Sequence, residues 1–346
     1  MKVLLAMSGG VDSSVAGALL QRDGHDVVGV TLKLWGGESD SGCCSVSDVD
    51  DARRVAQQLG IDHLVFNFGD DFRAHVVDPY VADHAAGVTP NPCVECNRHV
   101  KFDRLYRRAE QLGFDAVATG HHARVGRTAD GRHTLERGAD PGKDQSYVVH
   151  MLSQADLGRT LFPVGAIDKA EVRRIAAELG LRTAAKPDSQ DVCFITSTGG
   201  RETFLGDRIP FRRGRVLDTA GAEVGTVDAV ELVTIGQRRG IGLPGGGPKR
   251  YVVDVDVANA TVVVGGDADL LDAGLDVADV TWTDTALADG TAVRVQCSAH
   301  GESRPAVWHT GRVTWVTPQR RVAPGQSVVL YDAADTRVLG GGTATR

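Results

Sequence analysis

The chain begins MKVLLAMSGGVDSSVAGALL, and this stretch constrains the fold more tightly than any other. Val3-Leu4-Leu5-Ala6 is a short apolar run of the kind that forms a strand buried on both faces, and Val15 to Leu20 has helical spacing. Between them lies Ser8-Gly9-Gly10-Val11-Asp12-Ser13-Ser14. Glycines let the backbone approach a phosphate closely, and amides at a helix N-terminus point toward an anion. The serine hydroxyls add donors, and Asp12 offers a carboxylate for magnesium. The pattern is not Walker A, which needs a lysine after the second glycine, nor is it GxGxxG. A plain capped glycine turn is the bland alternative. It loses weight because strand, loop and helix fall in register.

The alternation continues. Asp26 to Leu34 reads as a second strand, Asp48 to Leu59 as an amphipathic helix stopped by Gly60, and His63 to Phe68 as a third strand. Lys101 to Leu112 is a further helix and Asp115 to Thr119 a fourth strand. Strands separated by such helices predict an α/β fold with a doubly wound parallel sheet. Ligands in such sheets bind beyond the carboxyl ends of the strands. The glycine loop, Leu32 to Trp35 and Thr119-Gly120-His121 all fall at that edge.

From Pro210 the texture changes to short β-rich runs between glycine turns: Arg215–Leu217, Val230–Ile235, Tyr251–Val257 and Thr261–Val264. A further set follows at Val277–Trp282, Ala292–Cys297, Ala306–Trp308, Gly311–Val316 and Gln326–Tyr331. This spacing predicts two small all-β units, the last a β-barrel, and a division at 1–202, 203–270 and 271–346. Leu243 to Arg250 reads as a mobile loop between strands. No run approaches the ~20 apolar residues of a membrane span, and the first apolar run is too short for a signal peptide. A cytoplasmic protein is expected.

Six cysteines in 346 residues are too few for a disulfide scaffold. Cys93 and Cys96 form a CxxC in the proline-rich segment Thr89–Asn97, read as a stiff loop, and Cys193 lies in Asp188-Ser189-Gln190-Asp191-Val192-Cys193-Phe194. Taken alone, a CxxC is a zinc half-site, a redox pair or chance, and no second CxxC or histidine pair accompanies this one. Cys43 and Cys44 read as buried or incidental, and Cys297 as core.

The phosphate loop resembles the PP-loop of the ATP pyrophosphatases, adenine nucleotide alpha hydrolase-like proteins that adenylate a substrate oxygen. Along nearly its whole length the chain resembles the tRNA-specific 2-thiouridylases. The resemblance rests on SGGVDSS, TPNP..CN, TGHHAR (Thr119 to Arg124), GKDQSY (Gly142 to Tyr147), DSQDVCF, TIGQRRGIG (Thr234 to Gly242), YVVD (Tyr251 to Asp254) and PGQSVV (Pro324 to Val329). It implies a tRNA-uridine 2-sulfurtransferase acting on the wobble uridine of Lys, Glu and Gln tRNAs, with ATP and magnesium. The sulfur would come from a persulfide donor, a cysteine desulfurase or a sulfur-relay protein.

Residue by residue, the resemblance implies an ATP site at Ala6, Met7, Ser8, Gly9, Gly10, Val11, Asp12, Ser13, Leu32 and Gly120, with magnesium on Asp12. Asn91, Pro92, Cys93, His121, Lys143, Asp144, Gln145 and Gln326 correspond to tRNA-contacting positions. Cys193 would carry the persulfide, and Cys96 would free the sulfur and end in a disulfide with Cys193. Cys93 departs from the pattern, because many relatives have an Asp there that is assigned to proton transfer. A thiol titrates near pH 8.5 rather than 4. Two readings of Cys93 stand: a substitute proton carrier, or a ligand with Cys96 and Cys193 of an iron–sulfur cluster.

The formal net charge of −7 excludes a generally basic nucleic-acid coat, but not local patches. Basic residues cluster at Arg98, Lys101, Arg104, Arg107 and Arg108, at Arg208, Arg212, Arg213 and Arg215, and at Arg238, Arg239, Lys249 and Arg250. These read as phosphate contacts, against solvated faces as the bland alternative. Two other classes fit parts of the pattern. A small-molecule amidating PP-loop synthetase would tolerate loss of Cys193, and a non-catalytic tRNA-binding protein would keep its affinity without Asp12.

Overall fold

The computed structural model describes residues 1–35, 46–188, 192–195, 199–243 and 247–345. Cys43, Cys44 and part of the Leu243–Arg250 stretch lie outside them. Strands β1 (Lys2–Ala6), β2 (Asp26–Lys33), β3 (Asp62–Asn67), β4 (Ala116–Ala118) and β7 (Thr160–Leu161) form a parallel sheet in the order β3-β2-β1-β4-β7. Val3, Leu4 and Leu5 are fully buried because helices cover both faces of the central strand. One face packs on α1 (Val11–Arg22) and α2 (Val46–Leu59); the other packs on the helices at 69–85 and 92–111.

Strands β8 (Gly214–Asp218), β9 (Glu223–Val227), β10 (Tyr251–Asp256) and β11 (Thr261–Gly265) make a separate four-stranded sheet over a valine-rich core. Val230–Ile235, expected as a strand, is not one: Val230–Leu232 is a 3₁₀ turn. The buried Glu231 carboxylate accepts hydrogen bonds from the Arg212 amide at 3.0 Å and its Nε at 2.9 Å, which folds the segment inward. Its apolar pattern reflects burial rather than pairing.

The C-terminal strands are β12 (Leu271–Trp282), β13 (Thr291–Gln296), β14 (Arg304–His309), β15 (Arg312–Arg320), β16 (Ser327–Tyr331) and β17 (Arg337–Ala344). They follow the order β12-β15-β14-β13-β16-β17, and antiparallel pairing of β12 with β17 closes the barrel. The sequence did not reveal a hairpin of the first region, β5 (Ala123–Arg127) and β6 (His133–Arg137), that extends this sheet by pairing with β17.

Arg137, at the end of β6, secures the join. Its guanidinium donates to Asp144 at 2.6 Å and to Asp335 at 2.7 Å, and lies 3.7 Å from the centroid of the buried Tyr331 ring. Removing a half-buried cation that serves two carboxylates strands at least one of them. Arg137→Met is therefore expected to cost about 2 kcal/mol or more in urea denaturation. Arg127→Ala, on the exposed end of the same hairpin, should stay within about 0.5 kcal/mol of the parent.

Candidate active site

The phosphate loop leaves β1 at its carboxyl end and enters α1 through Gly10, an N-cap with no side-chain oxygen to give. The first-turn amides thus face outward with the helix dipole behind them. Gly9 adopts φ +72 with its backbone against Asp48. A Cβ at Gly120 would lie 2.6 Å from the Ser13 amide nitrogen, so the loop after β4 closes on the phosphate loop only without a side chain. Lys186 supports the loop from below, donating to the Gly9 carbonyl at 2.9 Å and to Asp48 and Asp51 at 2.7 Å each.

A cavity of about 540 Å³ opens above this loop. Ala6, Met7, Ser8, Gly10, Val11, Asp12, Ser13, Leu32 and Gly120 line it, so every residue expected at the nucleotide reaches it except Gly9, which backs the loop. His121, Lys143, Asp144 and Gln145 line the same cavity. A glycine cradle, an uncapped helix N-terminus and the serines Ser8 and Ser13 fit a polyphosphate. A single carboxylate beside those phosphates fits magnesium, which keeps most of its waters and takes few protein ligands.

Asp12 is already engaged by a lysine and a histidine. Lys169 Nζ lies 2.7 Å from both carboxylate oxygens and His122 Nε2 3.1 Å from one. Burial works to raise the Asp12 pKa, but the hydrogen bonds and charges of His122 and Lys169 win and hold it below the usual carboxylate range. Lys169 also lies 3.0 Å from Asp188, which accepts from Lys143 at 2.8 Å and Arg173 at 2.9 Å. Against its partial burial, these cations hold Asp188 down to about 2. An ionic chain thus runs from the phosphate loop to the start of the DSQDVCF segment.

The cysteines are placed differently from the expectation. Thr89–Asn97 is not a stiff loop throughout, because a helix begins at Pro92 and carries both cysteines in its first turns. Asn91 Oδ1 caps it, accepting from the Cys93 and Val94 amides at 3.1 and 3.4 Å, and Pro92 stands at the first helical position. From Cys96 to Arg104 the helix is widened to π geometry, a distortion that recurs at functional sites. Cys96 is only 6% exposed, while Cys93 and Cys193 are half-buried, and all three are thiols. Cys96 belongs to the apolar cluster against which Cys193 also packs. Phe194 anchors the latter, its ring 5.1 to 5.7 Å from those of Phe204, Tyr80 and Phe72. Val192, a β-branched residue, is held at φ 58, a strained conformation immediately before Cys193. Among the described residues no group of three His, Cys, Asp or Glu side chains is arranged to hold a metal.

Several expected RNA contacts are occupied internally. The Asp144 carboxylate accepts from Arg137, the Gly138 and Ser146 amides and the Ser146 hydroxyl. Gln145 Oε1 accepts from the His122 amide, and Gln326 Nε2 donates to the Thr89 carbonyl. His121 is buried between the Phe102 and Phe162 rings, bonded to Thr119 at 2.7 Å, and burial pushes its pKa down to about 3. Residues the sequence reading missed are Lys169, His122 and His300, the last reaching the cavity from the barrel. TGHHAR offered two adjacent histidines. Both line the cavity, and His122 is the one that touches Asp12.

Residues 1–197 match the family model described as tRNA methyl transferase HUP domain, 202–266 the tRNA methyl transferase PRC-barrel domain, and 273–344 the Aminomethyltransferase beta-barrel domain. The fold and the loop define a PP-loop enzyme. The tRNA-specific 2-thiouridylase MnmA of Chloroflexus aurantiacus is 47% identical over 99% of this chain and 98% of its own. That of Mycobacterium ulcerans is 47% identical over 100% and 98%. The chain belongs to the tRNA-specific 2-thiouridylase family. Among solved structures, NMN synthetase from Francisella tularensis is similar over 54% of this chain and 66% of its own, with a TM-score of 0.33 and 18% identity.

Asp188 gives the ionic chain a pH signature. A carboxylate whose folded pKa lies below its unfolded value adds stability above the unfolded value and loses it as pH falls through the folded one. Its side chain is 35% exposed, so solvent screening reduces the contribution to about 1 kcal/mol. Asp188→Asn should lower the urea midpoint at pH 7, and the gap from the parent should close between about pH 4 and pH 2.

Proposed function

We propose that this protein thiolates the wobble uridine of tRNA at the 2-position, using ATP to activate the oxygen and cysteine-borne sulfur to replace it. The observation that carries the reading is one cavity shared by the phosphate loop, Lys101 from the cysteine-bearing helix, and Lys143. An adenylating enzyme must bring its nucleotide and its acceptor within one enclosure, and here the donor-rich loop and the acceptor-side cations share it. Family membership supports the choice of acceptor.

In the proposed cycle the uridine 2-oxygen attacks the α-phosphate, and pyrophosphate leaves. The first-turn amides of α1 and the hydroxyls of Ser8 and Ser13 hold the phosphates. Magnesium on Asp12 would neutralise phosphate charge, and Lys169, displaced from Asp12, would remain among the phosphates. The terminal sulfur of a Cys193 persulfide then forms a bond to C2, and AMP departs with the original oxygen. Cys96 attacks the Cys193 sulfur, leaving the transferred sulfur on the base and a Cys96–Cys193 disulfide. A thiol reductant resets the pair. Burial of Cys96 keeps it from competing oxidants until the substrate is engaged.

Cys93, at the mouth of the same helix, would hold or release the proton near the base in place of the carboxylate of many relatives. Arg238, Arg239 and Lys249 are exposed and carry no ion pair among the described residues, which suits them to backbone phosphates. By contrast, Arg104, Arg107 and Arg212 are already paired with Asp71, Asp103 and Glu231. The sulfur donor is a persulfide-bearing protein, and the substrates are the tRNAs for Lys, Glu and Gln.

The test is sulfur incorporation into unmodified glutamate tRNA with ATP and a persulfide donor. Wild type should give product whose wobble uridine has exchanged oxygen for sulfur, while Cys96→Ser and Cys193→Ser give none. Full activity in Cys193→Ser would overturn the persulfide step and favour a synthetase that uses a free sulfur or nitrogen nucleophile.

A further inference from the structure

The turn Pro324-Gly325-Gln326, between β15 and β16, is expected from its motif to touch RNA. Its polar groups are directed elsewhere. The Thr89 amide donates to the Pro324 carbonyl at 2.8 Å, and Gln326 Nε2 donates to the Thr89 carbonyl at 2.6 Å. Both backbone groups of Thr89 are therefore held by one barrel turn. Gly325 has φ +89, and a Cβ there would lie 2.4 Å from Val88 Cγ1 and 3.1 Å from the Thr89 carbonyl carbon and oxygen, so glycine alone fits without displacing its neighbours. The turn is itself pinned to β17: the Gly325 amide donates to the Ala344 carbonyl at 2.9 Å, and the Ala344 amide to the Gln326 carbonyl at 2.8 Å. One residue on, the Ser327 carbonyl accepts from the buried Tyr147 hydroxyl at 2.9 Å.

Thr89 stands two residues before Asn91, the cap that starts the helix bearing Cys93 and Cys96. We propose that the 324–326 turn of the barrel is a positioning element for the catalytic cysteine helix, with Gln326 and Gly325 fixing where that helix begins. The inference rests on the proposed role of Cys96 for its meaning, though not for its test. Gln326 is on this reading a positioning residue rather than an RNA contact. The barrel then builds the active centre before any tRNA arrives. The coupling is physical and short: barrel turn, Thr89, the Asn91 cap, Cys93 and Cys96.

The experiment compares wild type, Gln326→Met and Gly325→Ala, all free of RNA and nucleotide. Gln326→Met keeps the shape and removes the donor. Gly325→Ala alters no side chain that could reach RNA. Alkylation of each cysteine by iodoacetamide is followed by site-resolved mass spectrometry. Loss of one hydrogen bond, or strain at the turn, should raise the Cys96 rate about tenfold in both variants. Cys297, partly buried against the barrel core, should keep its wild-type rate and so report an intact fold. Affinity for tRNA should stay within about twofold of wild type, and thiolation should lose kcat while KM for tRNA is kept.

Unchanged Cys96 alkylation, with weakened tRNA binding in Gln326→Met alone, would overturn the proposal and return Gln326 to the RNA surface. So would a parallel rise at Cys297, which would mean general loosening of the barrel. A wild type that shows the alkylation pattern but makes no thiolated tRNA would leave the positioning role standing and refute the proposed function instead.

Discussion

A helix begun by glycine rather than by a capping side chain underlies the whole arrangement. Gly10 leaves the first turn of α1 with outward amides, a deficit that a globular protein ordinarily fills with Ser, Thr or Asp. The surrounding residues keep that deficit open for a ligand. Gly9 and Gly120 allow two backbones to approach where no Cβ fits, and Lys186 holds the loop from beneath. Ser13 and Ser14 turn their hydroxyls to the Gly10 carbonyl, so they stiffen the loop without closing it. The cavity is thus a consequence of withheld hydrogen bonds, and its lining follows from the parallel sheet that aims β1, β2 and β4 at one edge.

The second constraint is the union of the first region with the barrel. A hairpin of the nucleotide-binding region adds itself to β17, Arg137 bridges Asp144 to Asp335, and the 324–326 turn holds Thr89. Asp144 and Thr89 flank the two segments that carry Lys143 and the cysteine pair. Barrel and sheet therefore cannot move independently without disturbing the cavity. Interfaces between modules on one chain are commonly loose and polar. This one is tied by strand pairing and a half-buried guanidinium, which suits a site whose parts come from distant stretches of sequence.

Local order explains what the sequence revealed. The strand–loop–helix at the N-terminus was legible because its signal, apolar run to glycines to helical spacing, lies within about twenty residues and needs no partner. The closed barrel was legible from strand spacing. The hairpin at 123–137 was not, because its partner strand lies some two hundred residues away and nothing local marks it. Lys169 was missed for a similar reason: a single lysine after the capping Asp168 looks like any solvated helix start. The helix at Pro92 was readable in principle, since Asn followed by Pro is a start signal. Reading the prolines as stiffeners hid it.

The acidic total of the chain raises the question of how it would hold two polyanions, ATP and RNA. Net charge acts over distances that salt screens within about 10 Å, so what a phosphate meets is the local set. In the cavity Lys101, Lys143 and Lys169 face Asp12, Asp144 and Asp188. The carboxylates are not equivalent to the cations. Asp144 is tied to Arg137 and two amides at one wall, and Asp188 is shared among three cations. Asp12 is shared between Lys169 and His122 at the edge of the phosphate loop. The Lys169 ammonium therefore already stands inside the site, and no cost remains of bringing it in from water. The ionic chain thus sets the local charge that an incoming phosphate would meet.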